Sequence, residues 1–285
     1  MNAAAMASTD RSQPGEVLAG LFAKRRALVM GVLNVTPDSF SDGGRFFAPQ
    51  AAIAQARRMA SAGADMLDVG AESTRPYGGM KPVDADEEQA RLSQILPAVV
   101  ALGLPVSIDT MKARVAAWAL DNGARIANDV WGLQRDPDMA RVVAEHGVPV
   151  IVMHNRDAAD PRIDIMVDIS EFLQRSLDIA ARAGIARDTI IIDPGIGFGK
   201  TPEQSIEVLA KLDQLRAFGL PILVGASRKR FISTVVPSEP GERIGGSIAS
   251  HLLAVQNGAA IIRTHDVAET VQALRVADAI GAAAQ

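Results

Sequence analysis

The feature that most constrains this chain is an eightfold alternation. Short β-branched or apolar runs recur, each followed by a polar or glycine-rich turn and then by a longer segment of helical spacing. The runs are Ala27–Asn34, Asp65–Gly70, Pro105–Asp109, Arg125–Asn128, Val148–Met153, Thr189–Asp193, Pro221–Gly225 and Ala260–Arg263. Helices are predicted between and after them at Pro49–Ala62, Asp84–Leu102, Lys112–Asn122, Pro137–His146, Asp164–Ala183, Pro202–Phe218, Ser247–Asn257 and Asp266–Ile280. In the first of these Ile53, Ala56, Met59 and Ala60 share one face. Gly63, Gly103, Gly123, Gly147, Gly184, Gly219 and Gly258 fall where helix C-caps are expected.

Strand-then-helix units imply a parallel sheet. Eight of them close into a (β/α)8 TIM barrel of the α/β class without leaving sheet edges; an open doubly wound sheet is the alternative. A barrel needs about 250 residues, and the chain has 285, 48% of them hydrophobic, so one domain uses nearly all of it. Residues 1–20 are expected to be a flexible leader and residues 21–285 the barrel domain. Met1–Pro14 lacks the basic start and apolar stretch of a signal peptide. The net charge of -4 is spread without blocks, which argues against a nucleic-acid arm or membrane patch. No apolar run reaches the length of a membrane span. There is no cysteine, so disulfides and thiolate metal sites are excluded, as suits a cytoplasmic protein.

Polar residues gather at the carboxyl ends of the predicted strands: Asn34, Asp68 and Glu72, Asp109, Asn128 and Asp129, Met153-His154, Asp193, Ser227-Arg228-Lys229, and Arg263 with His265. In a barrel these share one face, where barrel enzymes keep their active sites. Taken singly, an Asp after a strand is commonly a helix N-cap, as Asp109 before Thr110 could be. Caps do not call for Arg, Lys and His beside carboxylates, so the set points to a polar pocket. Asp109, Asn128 and Asp193 offer acceptors and an amide suited to a flat heterocycle rich in N–H donors. Lys229, Arg263 and His265 offer positive charge and donors on the side where barrels often bind phosphate. The pattern suggests a heterocycle carrying a phosphate or diphosphate. Two polar loops, from Asn34 to Gly44 and from Glu72 to Gly79, would lie over this face. Asp193-Pro194-Gly195-Ile196-Gly197-Phe198-Gly199-Lys200 resembles a phosphate cradle only superficially, because its glycines lack P-loop spacing.

Trp118 and Trp131 read as packing residues, and His146 and His251 as surface or interface groups. The acidic cluster Asp84–Glu88 reads as a solvated first turn of a helix.

From about Leu28 onward the chain resembles the dihydropteroate synthase family. The stretches that carry the resemblance are MGVLNVTPDSFSDGG from Met30, DVGAESTRP from Asp68, SIDT from Ser107, NDV from Asn128, IIDPGIGFGKT from Ile191, VGASRKRFI from Val224 and RTHDV from Arg263. The resemblance implies condensation of (7,8-dihydropterin-6-yl)methyl diphosphate with 4-aminobenzoate in folate biosynthesis. It assigns Asn34 to Mg2+ on the diphosphate, and Asp109, Asn128, Asp193 and Lys229 to the pterin, with Met153 lining it. Thr74, Arg263 and His265 fall on the diphosphate side. Thr74, Pro76, Phe198 and Ser227 surround 4-aminobenzoate, with Phe40, Asp42 and Arg75 on loops that complete that pocket. Asp42, Arg75 and Lys229 are the implied catalytic residues, and a homodimer is the implied assembly. Two departures stand out. Tyr77-Gly78-Gly79 replaces the family's frequent Gly-Ala after STRP, and Asn155-Arg156-Asp157 replaces its frequent Met-Gln-Gly. A corrinoid-serving pterin methyltransferase shares the barrel and the carboxylates, but has no need of the SRK and RTH segments or the first loop. A non-catalytic pterin-binding paralogue would have no need of an intact Asn34, Lys229, Arg263 and His265.

Overall fold

A computed structural model describes residues 14–35, 49–72 and 83–283. Eight parallel strands close in sequence order, β1 pairing with β8. They are β1 Leu28–Asn34, β2 Met66–Gly70, β3 Val106–Asp109, β4 Ile126–Asp129, β5 Val150–Met153, β6 Ile190–Asp193, β7 Ile222–Val224 and β8 Ala259–Thr264. The helices in chain order are α1 Pro14–Phe22, α2 Pro49–Ser61, α3 Ala85–Ser93, α4 Leu96–Val100, α5 Ala113–Asp121, α6 Met139–His146, α7 Ile165–Ala183, α8 Pro202–Ala210, α9 Arg230–Val235, α10 Ile244–Gln256 and α11 Val267–Ala283. The expected barrel forms, and the open sheet is ruled out by the β1–β8 pairing.

The period of two along each strand builds two cores. Outward side chains such as Val29, Leu33, Leu67, Val106, Ile108, Val152, Ile192 and Val224 pack with the helices. Inward side chains Leu28, Met30, Met66, Ile126, Ile151, Ile191, Leu223 and Ile261 form a second cluster inside the barrel. Leu18 and Leu21 of α1 join that inner cluster. The leader expected to run to residue 20 is therefore too long: residues 14–20 lie within α1, because burying two leucines contributes about 2 kcal/mol each.

Other boundaries shift for local reasons. The helix expected over Asp84–Leu102 divides into α3 and α4, with a proline in the first turn of the second. The one expected over Pro202–Phe218 stops at Ala210 and continues as a 3-10 turn over Leu212–Phe218. The short α9 had not been expected. Helix α7 opens on Asp164, whose carboxylate accepts from the Met166 and Val167 amides, and closes on Gly184 in the left-handed region.

Candidate active site

The inward core residues fix what faces the barrel mouth. Two residues beyond Met66, Ile126, Ile151, Ile191 and Ile261 stand Asp68, Asn128, Met153, Asp193 and Arg263. Alternation brings each of them to the inner face, one layer above the apolar plug. Asp109 stands two residues beyond the buried Ser107. In register, Asp109 pairs with Asn128 and Met153 with Asp193. Asn34 is half-buried at the end of β1, opposite Gly70.

Arg263 organises this layer. Its Nε donates to Asp68 Oδ2 at 2.6 Å and its Nη2 to Asp109 Oδ2 at 2.7 Å. Asn128 Nδ2 donates to the same Asp68 oxygen at 3.0 Å. The buried Oδ1 atoms of Asp68 and Asp109 have no hydrogen-bond partner among the described residues. Buried acceptors without donors are costly in the free protein, and a ligand that brought N–H groups would satisfy them. Burial pushes the Asp109 carboxyl up to about 7, against the pull of Arg263, and that of Asp193 up to about 6. Asp193 Oδ1 accepts from the Gly195 amide at 2.7 Å.

The next wall combines charge and an aromatic face. Lys229 follows β7, and its ammonium lies 3.9 Å from the centre of the Phe198 ring. Phe198, Met153 and Val130 form a small apolar cluster with Met111 and Trp131 beside it. Between Ser227 and Lys229, Arg228 takes a left-handed φ of 57°. Asp266 grips its guanidinium with bonds of 3.0 and 2.5 Å, and Ser247 Oγ accepts its amide at 2.9 Å. Ser227 Oγ lies 3.1 Å from His265 Nδ1 and accepts the His265 amide at 3.2 Å. Burial, with Arg263 and Arg228 nearby, drives His265 down to about 3. With no anion bound, these neighbours favour the neutral form of His265.

The site residues Asn34, Asp109, Asn128, Met153, Asp193, Phe198, Ser227, Lys229, Arg263 and His265 all lie on this one face of the barrel. Phe40, Asp42, Thr74, Arg75 and Pro76, together with Tyr77, lie outside the described residues. Trp118 packs against the outer core, and Arg135 stacks 4.4 Å over Trp131. His251 is not a surface group: it is buried, with Nδ1 3.3 Å from Thr270 Oγ1. The departure at Asn155-Arg156-Asp157 is tied down locally. Asn155 donates to the Val130 carbonyl at 3.0 Å, Arg156 pairs with Asp168 at 2.7 Å and Asp157 with Arg135 at 3.0 Å.

Sequence reasoning passed over Asp68 as a partner of Arg263, although its place two residues beyond an inward Met signals it. It also passed over a buried group behind the Gly195–Lys200 turn. There Lys200 Nζ meets His154 Nδ1 at 2.6 Å, and burial draws the lysine down to about 7.

A family model described as pterin binding enzyme matches residues 30–265. The chain belongs to that family. The relatives it matches include dihydropteroate synthases. That of Bacillus subtilis (strain 168) is 44% identical over 258 residues, covering 90% of this chain and 90% of that protein. The dihydropteroate synthase of Clostridium difficile, solved in the presence of pteroic acid, gives a TM-score of 0.86 at 46% identity over 90% of this chain and 97% of that one. The enzyme of Xanthomonas albilineans, solved with 4-aminobenzoic acid, gives a TM-score of 0.86 at 44% identity over 90% and 94%.

Proposed function

We infer that this chain catalyses dihydropteroate formation for folate biosynthesis. The amine of 4-aminobenzoate displaces diphosphate from (7,8-dihydropterin-6-yl)methyl diphosphate. The observation that carries this reading is the ring of buried acceptors, Asp109, Asn128 and Asp193, set beside the Lys229–Phe198 pair. Carboxylates at that depth suit the amidine-like N–H edge of a pterin, which supplies two parallel donors. Met153 adds an apolar contact to the flat ring.

The C–O bond to diphosphate breaks with its electron pair leaving on oxygen. The electron-rich pterin supports the positive charge left on the methylene carbon. The arylamine nitrogen then forms the C–N bond and releases one proton. An arylamine is already nucleophilic, so no strong general base is needed. Lys229 and Arg263 are proposed to neutralise charge on the leaving group and to steady the pterin. His265 serves as a hydrogen-bond donor to a diphosphate oxygen.

Mg2+ is proposed as the cofactor. The carboxamide oxygen of Asn34 is a hard donor at the mouth, and it fits an ion that takes its remaining ligands from diphosphate and water. When bound, Mg2+ would neutralise the departing diphosphate. Asp42 and Arg75 are proposed to complete the catalytic set. Thr74 is proposed at the diphosphate and at 4-aminobenzoate, with Phe40, Pro76, Phe198 and Ser227 around the latter.

A homodimer is proposed as the assembly, supported by Leu253 on α10 and Val276 and Ile280 on α11, each more than half exposed. A cytoplasmic location is proposed, in keeping with the chain's lack of cysteine. Among the described residues no helix is long and apolar enough to cross a membrane.

The test is turnover of the two substrates by the purified chain with Mg2+ and with a chelator. Product that vanishes with chelator and returns with added Mg2+ supports both the reaction and the cofactor. Undiminished turnover in chelator removes the cofactor, and no turnover in either removes the reaction.

A further inference from the structure

Lysine is almost never fully buried unless paired, yet Lys200 is fully buried in the turn that follows β6. Its amine donates to the carbonyl oxygens of Gly195 at 2.8 Å and Phe198 at 3.1 Å. It also lies 2.6 Å from Nδ1 of the buried His154. The other ring nitrogen of His154 lies 2.9 Å from Asp168 Oδ2. A carboxylate only accepts, so His154 Nε2 carries the hydrogen and Nδ1 is left to accept from Lys200. Arg156 donates to the second Asp168 oxygen at 2.7 Å. Arg156, Asp168, His154 and Lys200 therefore form one connected line from the first turn of α7 to the turn after β6.

Both carbonyls gripped by Lys200 belong to the turn that presents Phe198 to Lys229. The stem of Lys229 runs along the same turn: a Cβ added at Gly197 would lie 3.2 Å from Lys229 Cδ. The turn is closely fitted as well, since a Cβ at Gly195 would fall 1.9 Å from the His154 carbonyl oxygen. We propose that Lys200, oriented by His154 and Asp168, is a positioning residue for the arylamine step: it fixes the turn that aligns Phe198 and Lys229 without touching either substrate. The inference rests on the reading of this chain as a dihydropteroate-forming enzyme. Asp109 and Asn128 stand on other strands, and Asp193 stands in β6 and meets the turn only through the Gly195 amide on its Oδ1, so the loss of Lys200 falls more heavily on the arylamine than on the pterin.

The test uses the full chain with Mg2+ and two variants, Lys200→Met and Asp168→Asn. Steady-state constants are measured for 4-aminobenzoate, and the dissociation constant for the dihydropterin diphosphate is measured by calorimetry. Lys200→Met is expected to lower kcat/KM for 4-aminobenzoate about tenfold or more, as misplacement near reacting groups does, with a clearly smaller loss of pterin affinity. Asp168→Asn keeps the shape and should shift the same constant less. Equal losses for both substrates, or no change in kcat/KM, would overturn the proposal. If Lys200→Met does not fold, Asp168→Asn decides: wild-type constants for both substrates overturn it, and a selective loss for 4-aminobenzoate supports it. A wild-type protein without product overturns the functional reading, and this inference with it.

Discussion

Arg263 Nη2 and Asp109 Oδ2 meet at 2.7 Å across the mouth of the barrel, joining residues from β8 and β3. The same guanidinium holds Asp68, so one cation serves two buried carboxylates. Removing it leaves both carboxylates without their counter-charge. Arg263→Met is expected to destabilise the protein by about 3 kcal/mol, read from the urea midpoint, and to weaken binding of the dihydropterin diphosphate. An unchanged midpoint would contradict the role given to this pair.

Asp193 is expected to be the acceptor that pterin binding tolerates losing least. Asp193→Asn replaces one acceptor oxygen with a donor and should weaken pterin binding about a hundredfold, since a charged hydrogen bond is lost and a buried donor faces a donor. Calorimetry on the folded variant checks this, and wild-type affinity would remove Asp193 from the site. Lys229→Ala should lower turnover strongly in the same preparation, whereas unaltered kinetics would take it out of the reaction.

The raised carboxyls give pterin binding a pH dependence. In the free protein Asp109 and Asp193 hold protons up to about 7 and about 6. The pterin's N–H groups favour the ionised form, so binding releases protons in that range. Affinity should fall as pH drops from 7.5 to 5, by up to about tenfold per unit for each carboxyl that must ionise. Proton release is read by calorimetry in buffers of different ionisation enthalpy. A flat profile with no proton release would contradict this assignment.

His251 ties stability to pH from behind β8, where Thr270 links it to Thr264. Burial pulls it down to about 4, whereas the unfolded chain titrates near 6.5. Between those values the unfolded state binds more protons, so stability is full above about 6.5 and is lost as pH falls toward 4. His251→Met should reduce the slope of stability against pH in that window by up to about 1.4 kcal/mol per unit. Denaturant titrations across the window decide it: an unreduced slope would mean that His251 is not held neutral.

Gly195 has a φ of 66° and no room for a side chain. Gly195→Ala should lower the melting temperature sharply and displace the turn that carries Phe198, because the atom in its way is backbone. A variant with wild-type melting and turnover would show that the turn is freer than the structure has it.

The barrel and the polar face were legible because strand period and strand ends are local properties. An inward Met66 or Ile126 announces the functional residue two places on. Partnerships were not legible, because Arg263 lies 195 residues from Asp68 and 154 from Asp109. Charge states depend on burial, so His265 and His251 could not be judged from their types. Helix α1 was hidden because Leu18 and Leu21 have nothing to pack on until the barrel closes above them. The role of Lys200 was masked by the glycines before it, which suggest a loop for a ligand rather than a turn wrapped around an amine.

The most direct test follows both products of the purified chain supplied with (7,8-dihydropterin-6-yl)methyl diphosphate, 4-aminobenzoate and Mg2+. The account predicts 7,8-dihydropteroate and diphosphate in equal amounts. Pterin binding measured in the same preparation, with neither product formed, would contradict it and leave a barrel that holds pterin without joining it to an arylamine.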